Sequence, residues 1–150
     1  TCAGILDYKL PVNAAEDSIS LLPVLRGNKI KKPLHDIVIH HSISGHFAIR
    51  KGQWKLLLCK GSGGWSSPRE SVAAKQKLPM LQLYDLLNDP KETKNLHAKY
   101  PEKVKELVGD LAKAFSAGRT TPGPRQSNEG WPNTVPKPIL EEFPQLAGPK

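Results

Sequence analysis

The sequence predicts an α+β fold, a small antiparallel sheet of about four strands packed by a C-terminal helix. Short stretches between residues 36 and 85 alternate apolar and polar residues, or are rich in β-branched residues, as strands with one buried face are. From Pro101, apolar residues recur at helical spacing instead, which is typical of a helix lying on a core. A chain of 150 residues is long enough for one modest domain or for part of a larger one.

The first residues indicate a chain that continues from an earlier segment. The sequence does not begin with methionine, and apolar residues follow almost at once. We therefore expect residues 1–13 to be the end of a preceding part, and residues 14–118 to form the predicted domain. Within that domain, residues 16–25 predict a short helical stretch that Asp17 or Ser18 would cap.

A β-hairpin is the clearest unit of the predicted sheet. Residues 46–50 and 54–59 alternate in polarity, and the Gly-containing connection at residues 51–53 suits a tight turn between them. Residues 36–40 are β-branched and predict an earlier strand, while residues 81–85 predict a later one. These segments together make about four strands.

A glycine-rich segment separates the hairpin from the last predicted strand. Residues 60–77 read as a loop, because the Gly-Ser-Gly-Gly run at residues 61–64 does not hold regular structure cheaply. A phosphate-binding loop would need a helix directly after the glycines and a Lys-Ser or Lys-Thr pair. Trp65 follows the glycines instead, so we predict an irregular loop without a phosphate.

The best-defined helix begins at Pro101 and ends at Gly118. Its apolar residues form one continuous stripe, made of Val104, Leu107, Val108, Leu111 and Phe115. Residues 119–150 hold seven of the 14 prolines, so we expect an extended tail that continues neither a helix nor a central strand. Trp131 and Phe143 would anchor this tail if it docks.

Few residues have the spacing that catalysis or metal binding requires. Two cysteines are too few for a disulfide scaffold, and we expect Cys2 and Cys59 both to be small buried residues. His40 and His41 are adjacent, and neighbours in a strand point to opposite faces, so they would not hold one metal ion together. We predict no catalytic residue and no metal ligand in this chain, although a substrate contact by one of these histidines stays open.

The charge balance is basic, with 22 Lys and Arg against 14 Asp and Glu, a net charge of +8. Such a balance can favour polyanions, among them nucleic acid, anionic membranes and sulfated glycans. The densest run, residues 26–32, lies in a predicted loop and is expected to be solvated. The apolar runs are too short to cross a bilayer.

Several stretches, taken in order, resemble the C-terminal part of arylsulfatases of the arylsulfatase A-like kind, in the alkaline phosphatase superfamily. Residues 83–96 are similar to the family signature L-Y-D-L-x-x-D-P-x-E-x-x-N-L. Residues 45–56 resemble the family hairpin of form F-A-x-R-x-G-x-W-K-L. Residues 16–27 resemble the link between the two parts of the fold, and residues 118–123 resemble a tail found in some members.

The resemblance implies a sulfuric ester hydrolase whose catalytic groups lie outside this chain. Residues 14–118 would be its C-terminal subdomain, following the end of the catalytic part. Sulfatases use Ca²⁺ and a formylglycine made from Cys or Ser in the motif C/S-x-P-x-R, and both would belong to the missing N-terminal part. Ala-Gly-Ile follows Cys2 and Lys-Gly-Ser follows Cys59, so neither fits that motif. The chain alone is expected to be inactive.

The resemblance also implies partners and a substrate rim. The partners would be the N-terminal catalytic part of the same protein and a sulfated carbohydrate or aryl sulfate, with no membrane and no nucleic acid. A bacterial parent would be periplasmic or secreted. Rim candidates are His40, His41 and Ser42 at a strand end and Trp65 in the glycine-rich loop, since imidazoles hydrogen-bond sugars and an indole stacks on them. Trp65 could instead only pin its loop.

Two other functions remain open from the sequence. One is a fragment of a related phosphatase or phosphodiesterase, because the motif that separates sulfate from phosphate chemistry lies outside the chain. The other is a basic module that binds nucleic acid or glycan. Binding by such a module would weaken steeply as salt rises.

Overall fold

The computed structural model describes residues 1–127 and 135–147. Trp131, one of the two expected tail anchors, lies outside these residues. Four antiparallel strands form one sheet in the order β1-β2-β3-β4, which confirms the predicted α+β fold. The strands are β1 Val38–His41, β2 Phe47–Lys51, β3 Trp54–Leu57 and β4 Gln82–Asp85.

The predicted hairpin is present as β2 and β3. Lys51 pairs with Trp54 across a two-residue turn, and Gly52 in that turn has a φ of 57°, a left-handed conformation that glycine adopts without steric cost. Further along the pair, Ile49 lies opposite Leu56, and both side chains are fully buried. The alternation read from the sequence therefore places one face of the hairpin in the core.

Five helices accompany the sheet in the described part of the chain. They are α1 Cys2–Ile5, α2 Leu22–Leu25, α3 Glu70–Lys75, α4 Pro101–Ala117 and α5 Lys137–Glu142, and a 3-10 turn, Pro144–Ala147, follows α5. The longest, α4, is the helix predicted from the apolar stripe. It ends at Gly118 in the left-handed conformation, with a φ of 64°. Its buried face packs on β2 and completes the core.

Two short helices differ from the sequence predictions. Residues 60–77 are not loop throughout, because α3 begins at Glu70 and buries Ala73. An acidic residue in the first turn favours the helix electrostatically. The predicted helix at residues 16–25 begins only at Leu22. Asp17 does not cap it, because its carboxylate accepts hydrogen bonds from Thr120 instead.

The proline-rich C-terminal region is not extended chain where it is described. It forms α5 and the 3-10 turn, correcting the expected extended tail for residues 137–147. The prolines are tolerated because they fall at the start of these short elements, where a backbone N–H has no intrahelical partner. Phe143 is buried, as expected of an anchor, and so are Val135, Ile139 and Leu146.

The two cysteines have different environments. Cys59 is buried, as expected, but Cys2 is exposed, so the expectation for Cys2 is wrong. Both are free thiols. Cys2 lies on α1, a single turn of helix that buries none of its residues.

The two edges of the sheet also differ. On β4, the Asn95 side chain accepts a hydrogen bond from the Leu83 N–H and donates one to the Leu81 carbonyl, and the Leu96 N–H donates to the Leu83 carbonyl. Asn95 and Leu96 thus occupy the positions of a fifth strand. On β1, the outward-facing backbone groups of Ile39 and His41 have no such partner among the described residues.

Candidate functional site

The predicted rim residues lie where β1 ends. His40 and His41 are the last two residues of β1, and both are exposed. Ser42 opens a tight turn in which its carbonyl accepts the Gly45 N–H at 2.9 Å and its N–H donates to the His46 carbonyl at 2.9 Å. This turn connects β1 to β2 and fixes the position of Ser42.

The structure brings the Ser42 turn and the glycine-rich loop, residues 61–67, into contact. A Cβ on Gly63 would lie 3.0 Å from the Ser42 Oγ, and the φ of Gly63 is 71°. A Cβ on Gly64 would lie 3.2 Å from a methyl group of Ile43. The left-handed backbone and the close approach therefore favour glycine at position 63, whereas a side chain at position 64 would need only a small shift of Ile43. The loop then presents Trp65, which is 80% exposed, beside this contact.

A single carboxylate holds the glycine-rich loop in shape. Glu70, the first residue of α3, accepts the backbone N–H groups of Lys60 at 3.2 Å, Gly61 at 2.8 Å and Gly63 at 3.2 Å. Backbone N–H groups that converge in this way form a concave site for an anion, and here the anion belongs to the chain itself. The role of Glu70 is not predicted by the sequence analysis. The only signal for it is the run of glycines, which lets the loop wrap around a carboxylate.

The base of the loop is buried and tightly packed. The Gln82 side chain donates to the Cys59 carbonyl at 2.8 Å and to the Gly61 carbonyl at 2.7 Å. A Cβ on Gly61 would lie 2.5 Å from the Pro68 carbonyl oxygen, so only glycine fits. Burial raises the pKa of the Cys59 thiol to about 12, which leaves it neutral and a poor nucleophile.

The two histidines face different sides of the sheet. The His41 ring meets Phe47 edge-on, with 6.3 Å between the ring centroids, and so lies on the face that carries the core. His40 lies on the opposite face, which is also the face of Ser42. Partial desolvation, with the Lys55 ammonium as the next cause, lowers the pKa of His40, so its ring is neutral at pH 7 and can both donate and accept. His40 and Ser42 therefore share one face of the sheet, Ser42 also contacts the glycine-rich loop, and His41 lies on the other face.

The family-like signature at residues 83–96 has a structural role here. Asp85 accepts the Leu87 N–H and the Asn88 side-chain amide, and Asp89 accepts the Lys94 N–H at 2.8 Å. Glu92 pairs with Lys55 at 2.7 Å, which ties the turn to β3. The signature thus builds the turn after β4 and its covered edge, and its carboxylates are already engaged.

An open cleft lies between the β1–β2 side of the sheet and the C-terminal end of α4. Its cations are largely neutralised or engaged. Lys51 and Lys113 both pair with Asp110, at 2.7 Å and 3.3 Å. The Arg119 guanidinium donates to the carbonyls of Val12, Thr121 and Pro124. Arg50 also lines the cleft and donates to the Gly52 carbonyl, so the charges of Arg50 and Arg119 are hydrogen-bonded but not neutralised.

The residues present do not fit a calcium ion or a formylglycine. Within residues 1–127 and 135–147, no three His, Cys, Asp or Glu side chains come together in a way that could hold a metal. The buried Cys59 is hydrogen-bonded to the Gly61 carbonyl, and Cys2 lies on the exposed α1. None of the helices in these ranges combines the length and hydropathy needed to span a membrane.

Comparison with solved structures finds sulfatases. A sulfatase described with the metabolism of multiple glycosaminoglycans by Bacteroides thetaiotaomicron aligns at 30% identity and a TM-score of 0.57, covering 75% of this chain and 23% of that one. A second Bacteroides thetaiotaomicron structure, described as a sulfatase, aligns at 25% identity and a TM-score of 0.52, covering 87% of this chain and 29% of that one. No family model and no curated protein sequence matches. In fold and in sequence, the chain is a relative of the sulfatases that spans 23–29% of the length of the structures it matches.

Proposed function

We propose that this chain is one part of a sulfatase, an enzyme that hydrolyses sulfate esters, and that it forms a wall of the substrate cleft. The observation that carries the proposal is the match to sulfatases over a minor share of their length. In this proposal the larger, N-terminal part of the enzyme supplies Ca²⁺, the formylglycine and the catalytic side chains. The described residues of this chain offer no alternative metal site.

The wall consists of His40, Ser42 and the glycine-rich loop with Trp65. A neutral imidazole and a hydroxyl can each donate to and accept from sugar hydroxyls, and an exposed indole offers a flat apolar surface for a sugar ring. The substrate class that suits this surface is a sulfated carbohydrate, with aryl sulfates as simpler substrates. His41, the fourth rim candidate from the sequence, lies on the other face of the sheet beside Phe47, and its contact with substrate stays a prediction.

The first experiment compares this chain alone with the chain joined to the larger part of the enzyme. We expect the chain alone to be inactive and the joined enzyme to release sulfate from an aryl sulfate and from sulfated oligosaccharides. Release of phosphate from phosphodiesters, without release of sulfate, would favour the related phosphodiesterase function instead. No turnover of either ester class would refute the proposed function.

Trp65→Ala tests the wall directly. Loss of a stacking surface should raise KM for a sulfated oligosaccharide about five- to tenfold, with little change in kcat, since stacking contributes on the order of 1 kcal/mol. KM for a small aryl sulfate should change less. Leu87→Ala, at another exposed apolar residue in a different turn, is the matched control. Equal KM values for the two variants would mean that Trp65 does not touch substrate.

A further inference from the structure

The first thirty residues expose their apolar side chains. None of residues 1–30 is buried, and they carry nine of the fifteen exposed large hydrophobic residues in the described structure. These are Ile5, Leu6, Tyr8, Leu10, Val12, Leu21, Val24, Leu25 and Ile30. Monomeric proteins rarely leave so much apolar surface in one region without a partner.

Hydrogen bonds with the residues that follow α4 hold much of this segment in position. The Asp17 carboxylate accepts the Thr120 N–H at 2.8 Å, and the Glu16 carbonyl accepts the Thr121 N–H at 3.3 Å. The Val12 carbonyl accepts the Arg119 guanidinium at 3.2 Å. The segment is thus attached through its backbone and one carboxylate, while nine of its large apolar side chains are exposed and Ile19 and Leu22 are half-buried. Burial of those side chains is what would offset the entropy of ordering thirty residues.

We propose that residues 1–30 form a docking strap, whose exposed apolar side chains pack on an apolar surface of the larger part of a sulfatase. This inference rests on the proposed function. The alignments cover only 23–29% of the length of the matched sulfatases. Most of such an enzyme therefore remains to cover the strap. The chemistry also favours an apolar protein surface. Between Ile5 and Val12 the only charged residues are Asp7 and Lys9, which cancel, so a polyanion would find no net charge there.

Cys2 provides a probe of the covered surface that is independent of catalysis. Its thiol is exposed on α1, within the strap, whereas the thiol of Cys59 is buried in the core. In the isolated chain, a thiol reagent should therefore modify Cys2 and spare Cys59. In the enzyme that contains both parts, the strap is covered, and modification of Cys2, followed by peptide mass spectrometry, should slow at least tenfold.

Substitutions then test which residues make the contact. The double variant Leu6→Ser, Leu25→Ser should leave the isolated chain folded, because both side chains are exposed, and should restore rapid modification of Cys2 in the assembled enzyme. Leu87→Ser, an exposed leucine outside the strap, should leave Cys2 protected. Equal modification rates in the isolated chain and in the assembled enzyme would overturn the proposal. So would protection of Cys2 that survives the double substitution.

The two proposals fail separately. Protection of Cys2 in an assembled protein that hydrolyses no sulfate ester would support the strap while refuting the sulfatase function. Sulfate release by an enzyme in which Cys2 stays freely reactive would support the sulfatase function and refute the strap. Self-association of the isolated chain through the same surface, detected by sedimentation and removed by the double substitution, would assign the strap to a second copy and overturn the proposed occupant.

Discussion

The two ends of the chain use apolar residues in opposite ways. Residues 1–30 contain many large apolar side chains and bury none, whereas the much shorter segment of residues 135–147 buries Val135, Ile139, Phe143 and Leu146. Both segments are rich in short helical turns, so secondary structure does not separate them. What differs is the partner within the chain, since the 3-10 turn after α5 packs on α4, whereas the first thirty residues are hydrogen-bonded to residues 119–126 after that helix. Apolar composition alone therefore does not predict where the core is.

The strongest test of this contrast is a matched pair of leucine-to-alanine substitutions, one in each segment. Leu146→Ala should lower the free energy of unfolding of the isolated chain by about 2–5 kcal/mol, because it opens a cavity in the core. Leu6→Ala should change it by less than about 0.5 kcal/mol, because that side chain is exposed. Urea denaturation of the two variants measures both. Similar losses would show that the first segment is packed in solution.

The glycine-rich loop is a third case, held mainly by one carboxylate rather than by a core. Glu70→Ala would leave the N–H groups of Lys60, Gly61 and Gly63 without their acceptor, and should destabilise the chain by about 1–3 kcal/mol. Hydrogen exchange at these three amides should accelerate more than exchange in β2. Glu70→Gln, which keeps an oxygen acceptor, should have a smaller effect. Glu102→Ala, at an exposed helix position, is the control, and unchanged amide exchange in Glu70→Ala would refute the role of the carboxylate.

The smallest expected effect on stability comes from the carboxylates of the turn after β4, and it depends on pH. Hydrogen bonds from the Asn88 side chain lower the pKa of Asp85, and the backbone N–H groups of Thr93 and Lys94 lower the pKa of Asp89. Because these pKa values lie below those of the unfolded chain, the folded state binds fewer protons. The contribution of these two carboxylates to the stability of the fold is complete above the ordinary carboxyl pKa of about 3.9. It is lost as pH falls through the lowered pKa values.

Asp89→Asn tests this pH dependence. Its urea midpoint should fall below that of the parent chain at pH 7, and the difference should shrink at pH 3, where protonation of Asp89 in the unfolded chain, with a pKa of about 3.9, reduces the stabilisation. Asp36→Asn should show no such change, since Asp36 makes no hydrogen bond to the described residues. A difference that is the same at both pH values would contradict the assignment.

Hydrophobic periodicity predicts this fold well for strands and helices that bury one face in the core. The hairpin and α4 follow from alternation and from a single apolar stripe, and both lie where the sequence places them. The elements that the sequence misses, α3 and α5, are short and begin beside prolines, which read locally as breaks. The candidate site is only partly predictable. His40, Ser42 and Trp65 stand out by type, but the convergence of three amides on Glu70 depends on how the chain folds back on itself.

The unequal edges of the sheet limit how it can be extended. Asn95 and Leu96 block β4, while the outward backbone groups of Ile39 and His41 leave β1 open. A strand from any other source can therefore join the sheet on one side only. Two chains that met through β1 would form a sheet with both outer edges blocked, so pairing would stop at two and could not grow into a fibre. The side chain of one asparagine in a turn thus places an upper limit on assembly through this sheet.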